Sequence, residues 1–239
     1  MNIILFHEVE LGQTLPVEDK RAKHLLEVLR FREGNVFDAG IINGPRGKAR
    51  IVSVGRRGLQ MDFSFTSESP SLYPVEMIIG AVRPSSSRRI LKDVTTQGAS
   101  VLHFVGTDRG ENSYLKSSLW TKEEYRRLLR EGAEQAFCTR IPEVYLYKSL
   151  KQCLEALEPG FDRIALDNYE AESLLSDYAP KDEGCFLALG SERGWSSNER
   201  GQLREADFLM MGLGSRVLKT ETACIAGLAV LLSRMDCKE

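Results

Sequence analysis

Residues 211–223 read Met211-Gly212-Leu213-Gly214-Ser215-Arg216-Val217-Leu218-Lys219-Thr220-Glu221-Thr222-Ala223, an apolar strand end running through a glycine-bearing turn into a helix. A second stretch of the same kind lies upstream, Leu187-Ala188-Leu189-Gly190-Ser191-Glu192-Arg193-Gly194-Trp195-Ser196. Glycine permits close backbone approach and positive φ, and open α/β sheets bind ligands beyond the carboxyl ends of their strands. The two stretches therefore mark a candidate ligand site. Neither is a G-x-G-x-x-G turn or a P-loop, so the usual dinucleotide and nucleoside-triphosphate cradles are excluded. On composition alone, two structural turns are the simpler account.

Outward from these loops the chain alternates strand and helix. Strands are expected at Val75–Val82, Val101–Val105, Val144–Tyr147, Arg163–Asp167, Cys185–Leu189 and Phe208–Met211. Helices are expected near Ser87–Gln97, Lys122–Phe137, Leu150–Glu158, Asn198–Glu205 and Glu221–Met235. Such alternation predicts an α/β domain with a mostly parallel sheet. Ala223–Leu232 is apolar nearly all round, which predicts burial on more than one side, with a second subunit as one possible cover.

The N-terminal part reads differently. Asn2–Phe6 is a predicted strand, and Pro16 is expected to start a helix whose stripe is Leu25, Leu26, Val28 and Leu29. Short β-like runs follow at Asn35–Ala39, Ala49–Val54 and Leu59–Phe65, separated by glycine-rich turns. They suggest a small barrel. The polar tract 66–71 looks like a linker, which places one domain at 1–70 and a second at 71–239.

The 239 residues are 42% hydrophobic and 28% charged, an ordinary balance for a folded soluble protein. No signal peptide or membrane-length apolar run is evident, and a cytoplasmic protein is expected. Five scattered cysteines without a C-x-x-C pair and three isolated histidines suggest neither a disulfide framework nor a metal site. The net charge of −2 hides an asymmetry, because residues 1–60 carry +3 and the remainder −5. Basic runs at Lys20-Arg21-Lys23 with Arg30 and Arg32, and at Arg83, Arg88, Arg89 and Lys92, could meet phosphates, although a solvated face explains either run alone.

The 211–223 stretch closely resembles the L-G-x-R-I-L-R-x-E-T-A signature of the RsmE-type rRNA methyltransferases, in the SPOUT (trefoil-knot) superfamily. Leu213, Gly214, Arg216, Leu218 and Glu221-Thr222-Ala223 match outright, and Val217 and Lys219 are conservative replacements. Lys23-His24-Leu25-Leu26-Glu27-Val28-Leu29-Arg30 is similar to the family's H-H-L-x-x-V-L-R helix, and Gly106-Thr107-Asp108-Arg109 to its T-E-R-S segment. Gly132-Ala133-Glu134-Gln135 and Arg140-Ile141-Pro142-Glu143 resemble A-A-E-Q and R-x-P-x, all in collinear order. Departures occur as well. Arg193 stands where the I-G-P-E-G-G loop has glycine, and only Thr95 and Gly98 survive from the Q-K-A-T-E-L-G helix.

The resemblance implies a PUA-like β-barrel that grips RNA, followed by a SPOUT-type knotted α/β methyltransferase domain that works as a homodimer. It implies S-adenosylmethionine as cofactor and N3 of a uridine in 16S rRNA as target, by family convention uridine 1498, on free rRNA or the small ribosomal subunit. The expected cofactor residues are Leu166, Asp167, Leu189, Gly190, Ser191, Gly194, Met211, Gly212, Leu213, Gly214, Val217, Leu218 and Ala223. Uridine N3 needs either a general base or cations that stabilise charge on O2 and O4. Glu192 is the candidate base or orienting acceptor, set against an ordinary loop-to-backbone hydrogen bond. Arg216 and Arg109 are candidates for phosphate or anion contact, with a structural ion pair the stronger reading for Arg109. Lys20, Lys23, Arg30, Arg32 and Arg88 are the expected RNA contacts. Trp195 is expected to pack in the core, with base stacking the alternative. Two rival readings stay open at this point: a ribose 2′-O RNA methyltransferase of the same superfamily, and a non-catalytic RNA-binding or ribosome assembly protein.

Overall fold

The computed structural model describes residues 2–111 and 113–235, arranged as two compact units. Of the described residues, the first takes 2–71 together with 133–141, and the second takes 72–111, 113–132 and 142–235.

In the first unit β1 (Ile4–Phe6), β2 (Leu15–Pro16), β3 (Val36–Ile41), β4 (Arg46–Gly55) and β5 (Gly58–Ser67) form one sheet in the order β1-β3-β4-β5-β2. Only β1 and β3 pair in parallel. Strand alternation turns Phe37, Ala39, Ala49, Ile51, Leu59 and Met61 to one face, where Ala22 and Leu25 cover them. Those two residues lie on α1 (Lys20–Lys23) and on the π-helical turn His24–Val28 that continues it.

The helix does not start at Pro16, as the sequence suggests. Pro16 lies in β2, an edge strand, where a residue lacking an N–H is tolerated. Asp19 is the N-cap and accepts from the Arg21 N–H at 2.8 Å. Arg21 leaves the predicted basic run altogether: it is buried and paired with Glu10 and Asp19.

Residues 133–141 join this unit through hydrogen bonds that explain two of the family-like segments. The Asn2 and Ile3 N–H groups donate to the Glu134 carbonyl, and Arg140 and the Ile141 N–H donate to Asn43. Ala133 and Ile141 pack with Ile3, Leu5 and Ile42.

The second unit is an α/β fold on a parallel sheet. Its strands are β6 (Tyr73–Gly80), β7 (Ala99–Val105), β8 (Glu143–Tyr147), β9 (Asp162–Leu166), β10 (Ser173–Leu174), β11 (Cys185–Leu189) and β12 (Leu209–Gly212). They lie in the order β10-β12-β9-β11-β6-β7-β8, every neighbour parallel. The helices are α2 (Pro84–Gln97), α3 (Ser118–Thr121), α4 (Glu124–Gln135, whose last residues belong to the first unit), α5 (Leu150–Leu154), α6 (Ser197–Glu205) and α7 (Thr220–Arg234).

All five residues of β11 are buried, as expected for a central strand covered on both faces. One face of α7 (Cys224, Gly227, Leu228 and Leu231) is buried, and this helix packs against α2 and β11. Ile225, Ala226, Val230 and Leu232 are only half-buried, so the expected burial on further sides is incomplete within one chain. No helix among the described residues is long and apolar enough to cross a membrane.

Candidate functional site

Strand register decides where the two glycine-bearing loops meet. Leu189 of β11 lies opposite Leu166 of β9 on one side and Ile79 of β6 on the other, while Met211 of β12 also pairs with Leu166. The carboxyl ends of β9, β11 and β12 are therefore level, and the loops leaving them enclose one pocket. Its walls include Leu166, Asp167, Leu189, Gly190, Ser191, Gly194, Leu213, Val217, Leu218 and Ala223. Among the expected cofactor residues, Met211, Gly212 and Gly214 do not line it. Met211 instead holds the strand end through its carbonyl, which accepts the Asp167 N–H at 3.0 Å. Asn168, Tyr169, Glu192 and Thr220 complete the lining.

The 190–195 loop is tightly wound. A Cβ on Gly190 would stand 2.8 Å from the Gly194 carbonyl carbon, and one on Gly80 would stand 2.4 Å from the Ser191 nitrogen. Gly194 has φ +64°, and its N–H donates to the Ser191 carbonyl. Trp195 is fully buried in the core cluster under this loop, which rules out base stacking. The Ser191 hydroxyl is buried with no hydrogen-bond partner among the described residues, in the wall of this pocket. A buried orphan hydroxyl calls for a polar ligand atom.

Asp167 is a wall residue whose carboxylate is engaged. Oδ2 accepts from Arg200 at 2.9 Å, and Oδ1 accepts from the Tyr169 and Glu170 N–H groups. That turn carries Asn168 and Tyr169 into the pocket wall.

Glu192 is exposed, and its Oε1 accepts the Arg83 N–H at 3.0 Å, the loop-to-backbone bond weighed from sequence. Arg109 forms no ion pair among the described residues and donates to the Arg193 carbonyl at 3.3 Å. Its loop is fixed from behind, because Asp108 accepts from Ser196 and Asn198 while its N–H donates to buried Glu199. Arg109 lines a second cavity of about 580 Å³ that shares Glu192, Val217, Leu218 and Thr220 with the first. Arg216 lines neither; it is exposed and makes no hydrogen bond or ion pair among the described residues.

Of the expected RNA contacts, Lys20, Lys23, Arg30 and Arg32 are exposed on the first unit and form no ion pair among the described residues. Arg88 is held by both oxygens of Glu124, at 3.0 and 2.8 Å. Burial pushes the Cys153 thiol up to about 12, and those of Cys185 and Cys224 beyond the ordinary range, so none of the three is a thiolate nucleophile. Among the described residues no group of His, Cys, Asp or Glu is arranged to hold a metal ion.

Residues 68–232 match the family model of the RNA methyltransferase domain. The ribosomal RNA small subunit methyltransferase E of Treponema pallidum (strain Nichols) is 36% identical over 242 residues, covering 98% of this chain and 91% of that protein. The chain belongs to this methyltransferase family. A member from Borreliella burgdorferi is 25% identical across 98% of this chain and 99% of its own length. The same fold appears in solved structures. A Neisseria gonorrhoeae member bound to S-adenosyl methionine aligns with TM-score 0.77 at 21% identity, covering 98% and 97% of the two chains. A Legionella pneumophila methyltransferase in complex with the same cofactor gives TM-score 0.81 at 21% identity, with the same coverage. Membership accounts for the collinear segments from Lys23 to Ala223 and identifies an RNA-methylating enzyme.

Proposed function

We propose that this enzyme transfers a methyl group from S-adenosylmethionine to N3 of a uridine in small-subunit (16S) rRNA, uridine 1498 in the family's convention. One observation carries the reading: a glycine-edged pocket at three level strand ends, with an apolar wall, shares Glu192, Val217, Leu218 and Thr220 with a cavity lined by Arg83, Arg109, Arg193 and Lys219. The cofactor fits the first pocket chemically. Leu166, Leu189, Leu213, Leu218 and Ala223 offer apolar surface to an adenine ring, and the orphan Ser191 hydroxyl awaits a polar partner. When bound, the cofactor supplies a sulfonium methyl, which is electrophilic without a metal.

The protein's part is then to position uridine and manage one proton. Glu192 stands on the boundary between the two cavities with one oxygen tied to Arg83, an arrangement suited to receiving the N3 proton. Arg109, held by the Arg193 carbonyl, is suited to stabilising charge on the uracil oxygens.

The first unit is read as a PUA-like barrel, with Lys20, Lys23, Arg30 and Arg32, which form no ion pair among the described residues, as cations for the RNA backbone. The second unit is read as a trefoil knot. The strand order supports this reading: β12 lies between β9 and β10, and β10 belongs to the segment joining β9 to β11. A homodimer built on the half-buried side of α7 is part of the same reading, as is a cytoplasmic location, where a bacterium keeps its ribosomes.

Calorimetry with S-adenosylmethionine and transfer of labelled methyl to small-subunit rRNA test this together. Saturable binding and labelled rRNA are expected, and failure of both would contradict the reading.

A further inference from the structure

The second cavity is more basic than positioning one uracil requires. Arg83, Arg109, Arg193 and Lys219 all line it, and none of the four has a carboxylate partner among the described residues. Two long helices also start there. Arg83 is the N-cap of α2 and Lys219 the N-cap of α7, and neither side chain caps its helix. A helix N-terminus carries partial positive charge, so a cation at that position is unfavourable on its own. Each start already has a carboxylate of the protein, Glu192 on the Arg83 N–H of α2 and Glu221 in the first turn of α7, so it is the side-chain cations that are left for an external anion.

The cavity's own carboxylates do not neutralise the four side-chain cations: Glu192 is tied to the Arg83 backbone N–H, Glu221 stands 3.7 Å from Arg89, and Glu111 forms no ion pair among the described residues.

We propose that this cavity is a phosphate clamp. On the reading of the substrate as RNA, Arg83, Arg193 and Lys219 hold backbone phosphates beside the target nucleotide while Arg109 faces its base. Arg193 does two jobs. Its carbonyl anchors Arg109, and its exposed guanidinium adds a cation where the resembling loop pattern has glycine. The phosphodiester source is favoured over the cofactor's own carboxylate because four cations without a carboxylate partner among the described residues exceed what a single carboxylate needs. A cavity of about 580 Å³ also matches a nucleotide-sized ligand.

The test is Arg193→Ala, with Arg83→Ala and Arg193→Lys beside it, assayed with small-subunit rRNA over a salt series. Arg193→Ala should raise KM for rRNA roughly ten-fold, the scale of one lost charge-assisted contact, with kcat moving far less. The dependence of log KM on log salt should become shallower by about 0.7 per lost contact, and Arg193→Lys should recover most of the loss. Thermal unfolding and the Kd for S-adenosylmethionine should match the wild type.

Unchanged KM and salt slope in both alanine variants would overturn the clamp. A raised cofactor Kd with unchanged rRNA KM would overturn it too, assigning the cations to the cofactor carboxylate. A wild-type enzyme that neither binds cofactor nor methylates rRNA would instead refute the underlying reading, and that arm is decided before any variant is compared.

Discussion

Asp167 commits both carboxylate oxygens to the protein, with Arg200 on one and two backbone N–H groups on the other. The ion pair is almost wholly buried, at 2% and 6% side-chain exposure. Removing one partner of such a pair strands a charge without solvent. Asp167→Ala should therefore cost about 3–5 kcal/mol of folding stability, measured by denaturant unfolding. A loss near zero would mean that Arg200 finds Glu170, already 3.6 Å away, as a full substitute. Glu192 can be separated into charge and hydrogen bond, because glutamine still offers a carbonyl oxygen to the Arg83 N–H. Glu192→Gln should keep cofactor affinity and lower kcat by about 10²-fold, the scale of a lost general base. Wild-type kcat in this variant would leave Glu192 as an orienting acceptor only.

At the scale of elements, the site depends on loops held in shapes that few residues adopt. Gly214 has φ +113° and open space around its Cβ position, so backbone conformation, not crowding, demands glycine there. Gly214→Val should strain the 213–218 segment, abolish S-adenosylmethionine binding in calorimetry and leave the circular dichroism spectrum of the fold intact; unchanged affinity would remove this loop from the site. The inner strands of the second unit are readable because buried parallel strands are nearly continuous apolar runs, as in Val75–Val82 and Cys185–Leu189. Strand β2 is not, since Pro16 reads as a helix start until its edge position is known. Strand β10 is two exposed residues and leaves no pattern. In the site, Leu189 and Gly190 were legible as a strand end meeting a glycine. Asn168 and Tyr169 were not, because they reach the pocket through a turn that only the buried Asp167 carboxylate creates. Nor could local pattern show that residues 133–141 return to the first unit, because their partners lie about 100 residues away.

For the whole molecule, α7 poses the question of assembly. Its inner face is covered by α2 and β11, while Ile225, Ala226, Val230 and Leu232 remain half-buried. Symmetric dimers are the commonest way to cover such a face. Light scattering at micromolar concentration should report a dimer, and an active monomer would contradict a shared interface. Methylation at N3 of uridine is tested most directly by nucleoside mass spectrometry. Small-subunit rRNA from cells lacking the gene, incubated with this enzyme and S-adenosylmethionine, should yield N3-methyluridine. A 2′-O-methylated nucleoside, or no new methylated nucleoside at all, would contradict it.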